Sequence, residues 1–338
     1  MAEPALPSYA LACSTPHDAA MAAREMRKNL KIALVLLLVG LLGAGWYLFQ
    51  SDLPRAALER RWASPPSQFV EVAGVRLHLR DTGPRDGPVV LLIHGFASSL
   101  HTWDAWTSLM EDRFRIVSLD LPGFGLTGPD PTGDYSDERS VTVLAALLDR
   151  LGIGKASVVG SSMGGRIAWR FAAAEPARVS KLVLMAPDGF ASLGRDYGRA
   201  PERLPWLMRL LPYTAPKPLL RRTMQNAYAV PGVLTDAVVD RYHAMLLAPG
   251  VRRAILDRVL QTRLVPPEPI LATIHVPVLL LWGEQDGAVP SSQAADYARA
   301  LPIARTVLLP GIGHVPMEEA PEASAQVLRA FLEDEGGA

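Results

Sequence analysis

One serine of this chain lies in a pattern that can make it a nucleophile. Residues 158–165 read VVGSSMGG, with Ser162 at the centre of a Gly-x-Ser-x-Gly motif between Gly160 and Gly164. An apolar β-branched run enters the motif and a helical pattern leaves it, which is the strand–turn–helix context of a nucleophile elbow. Such a turn strains the serine backbone, so the flanking positions must be glycine to avoid steric clash. The pattern predicts an exposed serine hydroxyl at the carboxyl edge of a sheet.

A base and an acid for this serine follow later in the chain. A serine alcohol attacks a substrate only when a base removes its proton and a further group orients that base. Asp286 stands in GEQD after one apolar run, and His314 stands in GIGH after the next. Both fall just past predicted strand ends, where an open α/β sheet places its site. The order serine, aspartate, histidine predicts a catalytic triad of Ser162, Asp286 and His314.

Other acids and histidines compete for these roles. Glu284 lies near Asp286 on the same turn, while Asp188 and Asp120 also follow predicted strands. Asp120, in SLDLPGFG, is expected to hold its loop by hydrogen bonds. Several histidines are assigned to the tail, to packing or to the surface, namely His17, His78, His243 and His275.

The tetrahedral intermediate of such a reaction carries an oxyanion that needs two preorganised donors. The backbone N–H of Met163, directly after the serine, is one predicted donor. The loop His94-Gly95-Phe96-Ala97, after the first core strand, is expected to supply the other through the N–H of Phe96. Gly95 lets the backbone approach closely, and His94 is expected to brace this loop rather than to do chemistry.

The elements that must position these residues alternate between strands and helices. Residues 69–81 predict a hairpin, and short apolar runs predict buried strands at 88–93, 115–119, 156–159, 181–185, 276–282 and 306–309. Helical patterns lie between the runs, at 140–151, 164–174, 291–300 and 321–332. This alternation implies a mostly parallel sheet with helices on both faces.

Residues 188–275 break this alternation. They separate two predicted neighbouring strands, and their pattern is helical and rich in Pro, Arg, Leu and Met. We expect an inserted helical cap over the carboxyl edge of the sheet, which forms the substrate pocket and excludes water. Its stretch 205–222, PWLMRLLPYTAPKPLLRR, mixes large apolar and basic residues. Such a mixture can lie on an anionic membrane surface, and ordinary cap helices with solvated arginines fit it equally.

The N-terminal region predicts a membrane segment. Residues 32–49 read IALVLLLVGLLGAGWYLF, an uncharged run near the length that crosses a bilayer's hydrocarbon core. A tail at 1–31, expected to be disordered up to residue 29, precedes this run, and a tether at 50–67 follows it. The long tail and the absence of a small-residue cleavage site favour a retained signal anchor over a cleaved signal peptide.

Basic residues crowd the N-terminal side of the predicted anchor, at Arg24, Arg27, Lys28 and Lys31. This bias favours a cytoplasmic N-terminus and a single-pass protein whose large domain, at 68–338, is extracytoplasmic and periplasmic. A domain on the cytoplasmic face and a cleaved, secreted domain are the alternatives.

Composition narrows the partners of the domain. The chain has 338 residues, 49% of them hydrophobic, which is ample for one large core with an inserted lid. Lys plus Arg and Asp plus Glu both number 34 and form no long basic stripe, so no nucleic acid partner is expected. The one cysteine, Cys13, lies in the tail, so no disulfide framework or zinc spacing is present. No metal or organic cofactor is implied.

With these residues in place, the chain resembles the α/β-hydrolase superfamily from about residue 68 onward. HGF, DLPGFG, GSSMGG, WGEQD and GIGH are its signature motifs, in order. GSSMGG, LVLMAPDGF and the predicted anchor are together similar to cap-bearing serine esterases and monoacylglycerol lipases with an N-terminal membrane anchor. The resemblance implies the α/β-hydrolase fold and hydrolysis of a small acyl ester, lipid-like or of the monoacylglycerol type. The reaction would pass through an acyl-enzyme on Ser162, with Asp286 and His314 as partners.

Other members of the superfamily limit this expectation. Haloalkane dehalogenases and epoxide hydrolases use an aspartate nucleophile, which Ser162 argues against. Carbon–carbon bond hydrolases of aromatic ring cleavage share GxSMGG but usually carry Gly-Pro-Gly after the first His-Gly, where this chain reads HGFASSLHTW. Cofactor-free perhydrolases also carry a serine. Members that have lost activity serve as binding proteins, and the intact triad and oxyanion loop argue against that role.

Overall fold

The computed structural model describes residues 16–191, 196–199 and 203–334. The chain divides into two compact units, Met1–Phe49 and Gln50–Ala338. Cys13 and the first part of the predicted tail lie outside the described residues, as do two short stretches of the predicted cap, 192–195 and 200–202.

The described part of the first unit is a single helix, α1 (Pro16–Leu48). Its stretch Ala23–Leu48 is long and apolar enough to cross a membrane, and none of its most apolar window is buried. The prediction of a disordered tail is wrong for residues 16–29, which are helical. The reason is that alanine has the highest helix propensity and extending an existing helix needs no new nucleus.

The second unit is built on an eight-stranded sheet. Its strands are β1 (Ser67–Val72), β2 (Val75–Thr82), β3 (Val89–Ile93), β4 (Arg115–Leu119), β5 (Ala156–Ser161), β6 (Val179–Met185), β7 (Val278–Gly283) and β8 (Ala304–Leu309). Their order is β1-β2-β4-β3-β5-β6-β7-β8. β1 pairs antiparallel with β2 and β2 with β4, whereas the pairings from β4 through β8 are parallel. The predicted hairpin and mostly parallel sheet are confirmed.

Helices cover both faces of this sheet. The α-helices in the described part of this unit are α2 (Arg55–Trp62), α3 (Asp104–Met110), α4 (Asp137–Arg150), α5 (Met163–Ala174), α6 (Lys217–Gln225), α7 (Asp236–Leu246), α8 (Val251–Gln261), α9 (Glu268–Leu271), α10 (Ala294–Ala300), α11 (Pro316–Glu319) and α12 (Pro321–Glu333). Along β3, Leu91 and Ile93 join the core cluster that contains α4 and α5. Val90 and Leu92 join the cluster that contains α3 and α12. The continuous apolar run therefore reflects burial on both faces.

The segment predicted as a tether, 50–67, is packed against the second unit. Its helix α2 buries Leu58 in the core. Arg252 Nη2 donates to Gln50 O at 2.8 Å and to Asp52 Oδ1 at 2.7 Å. The prediction of a tether did not include this packing, because one buried leucine and these charged contacts are not visible in a Pro- and Arg-rich composition.

The chain between β6 and β7 forms the predicted helical insertion, with α6 to α9 in its described part. Its backbone reaches the loops that follow β7 and β8, since His314 N donates to Ala227 O at 2.7 Å. A Cβ at Gly287 would lie 2.5 Å from Asn226 O. The insertion therefore covers the carboxyl edge of the sheet, where the motif loops converge.

Candidate active site

Ser162 occupies the sharp turn between β5 and α5. Its backbone has φ 54° and ψ −120°, a region that L-residues rarely adopt. Three hydrogen bonds hold it there. Its N–H donates to Met185 O at 2.8 Å, and its carbonyl accepts from Arg166 N at 3.1 Å and Asp188 N at 3.2 Å. The surrounding backbone thus imposes the strained conformation predicted for the elbow.

The two glycines of the motif are required by close packing of backbone. A Cβ at Gly160 would lie 2.2 Å from Gly164 O, and a Cβ at Gly164 would lie 2.3 Å from Ile93 O. Neither glycine has a positive φ. The requirement therefore comes from the tight contact of β5, α5 and β3, which lets the turn be sharp enough to project the serine.

Asp286 and His314 form a bonded pair at the same edge. Asp286 Oδ2 lies 2.7 Å from His314 Nδ1, and the aspartate side chain is fully buried. Asp286 Oδ1 accepts from the N–H groups of Ala288 and Val289, each at 2.8 Å. These bonds fix the carboxylate, which orients the imidazole so that its other nitrogen, Nε2, is the one left to act as a base.

The loops that carry this pair are pressed together at the ends of β7 and β8. A Cβ at Gly283 would lie 2.1 Å from Gly313 O, and Gln285 N donates to Ile312 O at 2.9 Å. Because β7 and β8 are parallel neighbours, their following loops leave the same edge of the sheet. The structure thereby joins two residues that the sequence separates by a helix and a strand.

The predicted oxyanion loop lies beside the serine. A Cβ at Gly95 would lie 3.3 Å from Ser162 Cβ, so glycine allows the close approach that was predicted. Phe96 is exposed, whereas Met163 is buried at the first position of α5. Within the described ranges, neither backbone N–H of Phe96 nor that of Met163 donates to a protein acceptor. These two N–H groups therefore remain the candidate oxyanion donors.

His94 braces this loop through both ring nitrogens. Nδ1 lies 2.7 Å from Gly95 O, and Nε2 accepts from Leu121 N at 3.0 Å. Burial lowers the pKa of His94 below its ordinary value. The neutral ring therefore donates from Nδ1, accepts at Nε2, and ties the loop after β3 to the loop after β4.

Asp120 holds the loop after β4, as predicted. Its Oδ1 accepts from Leu100 N at 2.7 Å, and its Oδ2 accepts from Leu126 N at 2.7 Å and contacts His78 Nδ1 at 2.8 Å. Burial opposes ionisation of this carboxyl, but the charge and hydrogen bond of His78 hold its pKa below the ordinary value. His78 itself is buried, which agrees with a packing role.

The competing residues have other partners or lie in solvent. Asp188 Oδ1 accepts from Arg166 Nε at 2.9 Å, and Glu284 is exposed. His243 is buried with its Nε2 2.8 Å from Ala215 O, in the insertion. The two remaining histidines named above, His17 and His275, are exposed. Among the residues described by the structure, no group of three or more His, Cys, Asp or Glu side chains could hold a metal ion.

The sequence argument did not single out Glu319, a buried residue at the end of α11. Its Oε1 accepts from Gly313 N at 3.1 Å and Val315 N at 3.3 Å, the residues on either side of His314. Its Oε2 accepts from two N–H groups of the cap, those of Ala229 at 2.7 Å and Val230 at 2.9 Å. One carboxylate thus clamps the histidine loop to the cap. The pair Glu318-Glu319 so soon after GIGH is the only signal in the sequence.

Glu318 makes a second link between cap and core. Its Oε1 accepts from Thr102 Oγ1 at 2.6 Å, Arg241 Nη2 at 2.8 Å and Tyr242 OH at 2.9 Å. Its Oε2 accepts from Tyr228 OH at 2.8 Å. Burial, followed by the nearby Glu318 charge, raises the pKa of Tyr242 to about 12. The tyrosine is therefore a neutral donor at any physiological pH.

These features agree with the comparison to known proteins. The profile of the alpha/beta hydrolase fold family matches residues 88–321. The chain belongs to this family, which confirms the predicted fold and the resemblance on which it rested. Membership in this family suggests hydrolase activity and does not identify the bond that is cleaved or the substrate.

Individual relatives carry different activities. The dihydrolipoyllysine-residue acetyltransferase component of the acetoin cleaving system of Pseudomonas putida is 30% identical over 290 residues, 84% of this chain and 74% of that protein. The crystal structure of a bacterial membrane phospholipase A is 28% identical with a TM-score of 0.67, covering 90% of this chain and 98% of that one. A meta-cleavage product hydrolase from Pseudomonas fluorescens, 23% identical with a TM-score of 0.67 over 79% of this chain and 97% of that one, shares the fold alone.

Proposed function

We propose that this protein is a serine hydrolase that cleaves carboxylic esters of lipid-like molecules through an acyl-enzyme. The observation that carries the proposal is the meeting of two features at one sheet edge. Ser162 is held in a strained turn at φ 54°, and the Asp286–His314 pair is bonded at 2.7 Å on neighbouring loops. No other serine of the described chain has a positive φ.

The proposed reaction follows from these groups. His314 Nε2 removes the proton from Ser162 Oγ, which attacks the carbonyl carbon of the ester. The N–H groups of Phe96 and Met163 stabilise the oxyanion of the tetrahedral intermediate. When the ester C–O bond breaks, His314 protonates the departing alcohol and leaves an acyl group on the serine. Water then attacks the acyl-enzyme with His314 as base, which releases the acid and restores the serine.

Two features support a lipid-like substrate. The helical insertion covers the site, so the chemistry takes place away from bulk water. The helix α1 contains a stretch long enough to cross a bilayer. Similarity to a membrane phospholipase A over most of both chains points the same way.

We further propose that α1 is a retained anchor with its N-terminus in the cytoplasm and the second unit on the periplasmic side. The basic residues before the apolar stretch support this orientation. A reporter that is active only after translocation, fused to the C-terminus, is expected to be active. Activity only with a reporter that works in the cytoplasm would indicate the opposite orientation. A shortened chain in the culture medium would indicate that the anchor is cleaved.

The reaction is tested with a fluorophosphonate probe on the full chain in detergent. We expect labelling of the wild type, loss of labelling in Ser162→Ala, and normal labelling in Ser161→Ala, which removes the adjacent hydroxyl. Labelling that survives Ser162→Ala would contradict the nucleophile assignment.

The bond is tested with a substrate panel. It compares p-nitrophenyl esters of rising chain length, monoacylglycerols and a ring-cleavage dienoate. Turnover of the esters is expected to be faster than that of the dienoate. Faster turnover of the dienoate would instead assign carbon–carbon bond hydrolysis.

A further inference from the structure

Large apolar side chains are concentrated on one exposed part of the insertion. Trp206 is 73% exposed, Tyr213 60%, Leu207 54%, Leu219 52% and Leu210 41%. We call residues 206–219 the apolar cap patch. In the rest of the described second unit, large apolar residues at least 36% exposed stand apart in sequence: Leu53, Phe96, Leu109, Leu260 and Leu308. An exposed cluster of this kind marks an interaction surface.

The charged residues of the chain segment that contains the patch are all basic. Residues 203–225 contain Arg203, Arg209, Lys217, Arg221 and Arg222 and no Asp or Glu. Lys217 and Arg221 are paired with aspartates of α7. Arg209 and Arg222 form no ion pair with any residue that the structure describes. Tryptophan, tyrosine and leucine interspersed with arginine are the residues that bind the interfacial region of an anionic bilayer.

The patch lies where the chain enters the second unit. Gln50, two residues after the end of α1, donates its N–H to Tyr213 O at 2.9 Å. Its side-chain oxygen accepts from Ala215 N at 2.9 Å. Two residues span at most about 7 Å of chain. If α1 crosses a bilayer, the patch is therefore held within reach of that bilayer's headgroups.

The patch is also connected to the candidate active site. Leu219 lies in the first turns of α6, and the chain leaving this helix passes through Asn226 to Ala227, whose carbonyl binds His314 N at 2.7 Å. The helix has nine residues, a length of about 13 Å. One short helix thus leads from the exposed apolar surface to the histidine.

We propose that the apolar cap patch docks onto the anionic surface of the bilayer that holds α1. Docking would place the side chains of Trp206 and Tyr213 among the lipid headgroups and present lipid to the nearby site. The proposal rests on the proposed membrane anchoring by α1. It does not depend on which bond the enzyme cleaves.

The test uses the full chain in vesicles of phosphatidylglycerol and phosphatidylcholine. Cys13→Ser removes the one native cysteine, and Leu210→Cys or Leu308→Cys then carries an environment-sensitive fluorophore. These positions are matched because the two leucines are 41% and 42% exposed. Spin-labelled lipid is expected to remove roughly half or more of the emission at position 210 and little at position 308, because interfacial groups sink about 5–10 Å into the lipid.

Equal, weak quenching at both positions would overturn the proposal. A fluorescence shift at position 210 that depends on protein density and not on spin-labelled lipid would also overturn it, since a second copy of the chain would then cover the patch. Omitting phosphatidylglycerol is expected to weaken quenching at position 210.

An activity measurement separates docking from catalysis. The double variant Leu207→Ser/Leu210→Ser is expected to lower turnover of an ester embedded in vesicles by about tenfold, since two leucines no longer enter the lipid. Turnover of a soluble short-chain ester by the same variant should stay within about twofold of wild type. The control variant Leu109→Ser/Leu308→Ser should stay within about twofold of wild type on both substrates. An equal loss on both substrates in the patch variant would contradict docking. If no ester is cleaved at all, the proposed function fails while lipid quenching still decides the docking.

Discussion

The carboxyl edge of the sheet and the apolar cap patch are built in opposite ways. At the edge, backbone lies so close to Gly160, Gly164 and Gly283 that none of them can carry a side chain. On the patch, the side chains of Trp206 and its apolar neighbours are exposed to solvent. The edge is thus explained by contacts inside the protein, whereas the patch needs a partner outside it.

Two adjacent carboxylates connect the carboxyl edge to another part of the cap, within residues 228–242. Glu319 binds the histidine loop and the cap backbone, and Glu318 binds side chains of the cap and the core. A buried carboxylate that loses its hydrogen-bond donors costs free energy. The contacts of the two carboxylates therefore favour the cap staying in place. We infer that these bonds fix the cap at the carboxyl edge, while the side chains of the apolar cap patch remain exposed.

The largest effect is expected from changing Asp286, the proposed acid at the carboxyl edge. Asp286→Asn is expected to lower kcat by about 10³–10⁴-fold, because an amide no longer favours the productive imidazole tautomer. Steady-state kinetics on a soluble ester measure the effect. Glu284→Gln, at an exposed residue of the same turn, should leave kcat near wild type. If Asp188→Asn were the more damaging change, the acid would be misassigned.

Backbone packing at the elbow is tested by adding one methyl group. Gly164→Ala places a Cβ 2.3 Å from Ile93 O and is expected to lower the free energy of unfolding by about 1–3 kcal/mol or more. Urea unfolding in detergent measures the loss. Gly154→Ala is the control, since its Cβ would meet nothing within 4 Å. Equal stability of the two variants would show that the elbow is loosely packed.

The clamp between edge and cap is tested at Glu319. Glu319→Gln sets an amide donor against backbone N–H groups, so the His314 loop should shift and kcat fall by about 10–100-fold. A positioning role predicts an unchanged KM for a soluble short ester and a slower reaction with the fluorophosphonate probe. Glu322→Gln, exposed on α12, is the control. A rise in KM with normal kcat would assign Glu319 to substrate binding instead.

The smallest expected effect is a dependence of stability on pH. Burial lowers the pKa of His94, His101 and His243 below the ordinary value of 6.5. The unfolded chain therefore takes up protons near pH 6.5 that the folded chain refuses until lower pH, so the free energy of unfolding falls as pH drops below about 6.5. Urea unfolding between pH 7.5 and 5.5 measures this slope.

Two matched variants test how much of this slope of stability against pH comes from His94. His94→Gln should flatten it, and His275→Gln, at an exposed site, should leave it unchanged. Because His94 braces the oxyanion loop, its variant is also expected to be less stable at both ends of the pH range. A slope that His94→Gln does not alter would assign the dependence to other groups.

The features predicted correctly share one property, which is that their signal is local. The apolar runs that became β3 and β5, and the glycines around Ser162, act through the sterics of adjacent residues. The errors have different explanations. The helix at residues 16–29 had a local signal, its alanines, which was outweighed by its polar composition, whereas no neighbouring residue indicates that Leu58 is buried in the core. Glu318 was missed because its partners Thr102 and Arg241 lie 216 and 77 residues away.

The sequence by itself determined the elbow, the order of the triad motifs and the alternation of strands with helices, because each depends on spacing and on the shape of single residues. The tertiary structure decided which carboxylate pairs with His314, how Glu319 clamps the cap, and which part of the insertion remains exposed. Those outcomes depend on packing between distant segments, where the cost of burying a charge selects partners that spacing does not reveal. The proposed nucleophile can thus be recognised from one turn of the sequence, whereas the contacts around it exist only in the folded chain.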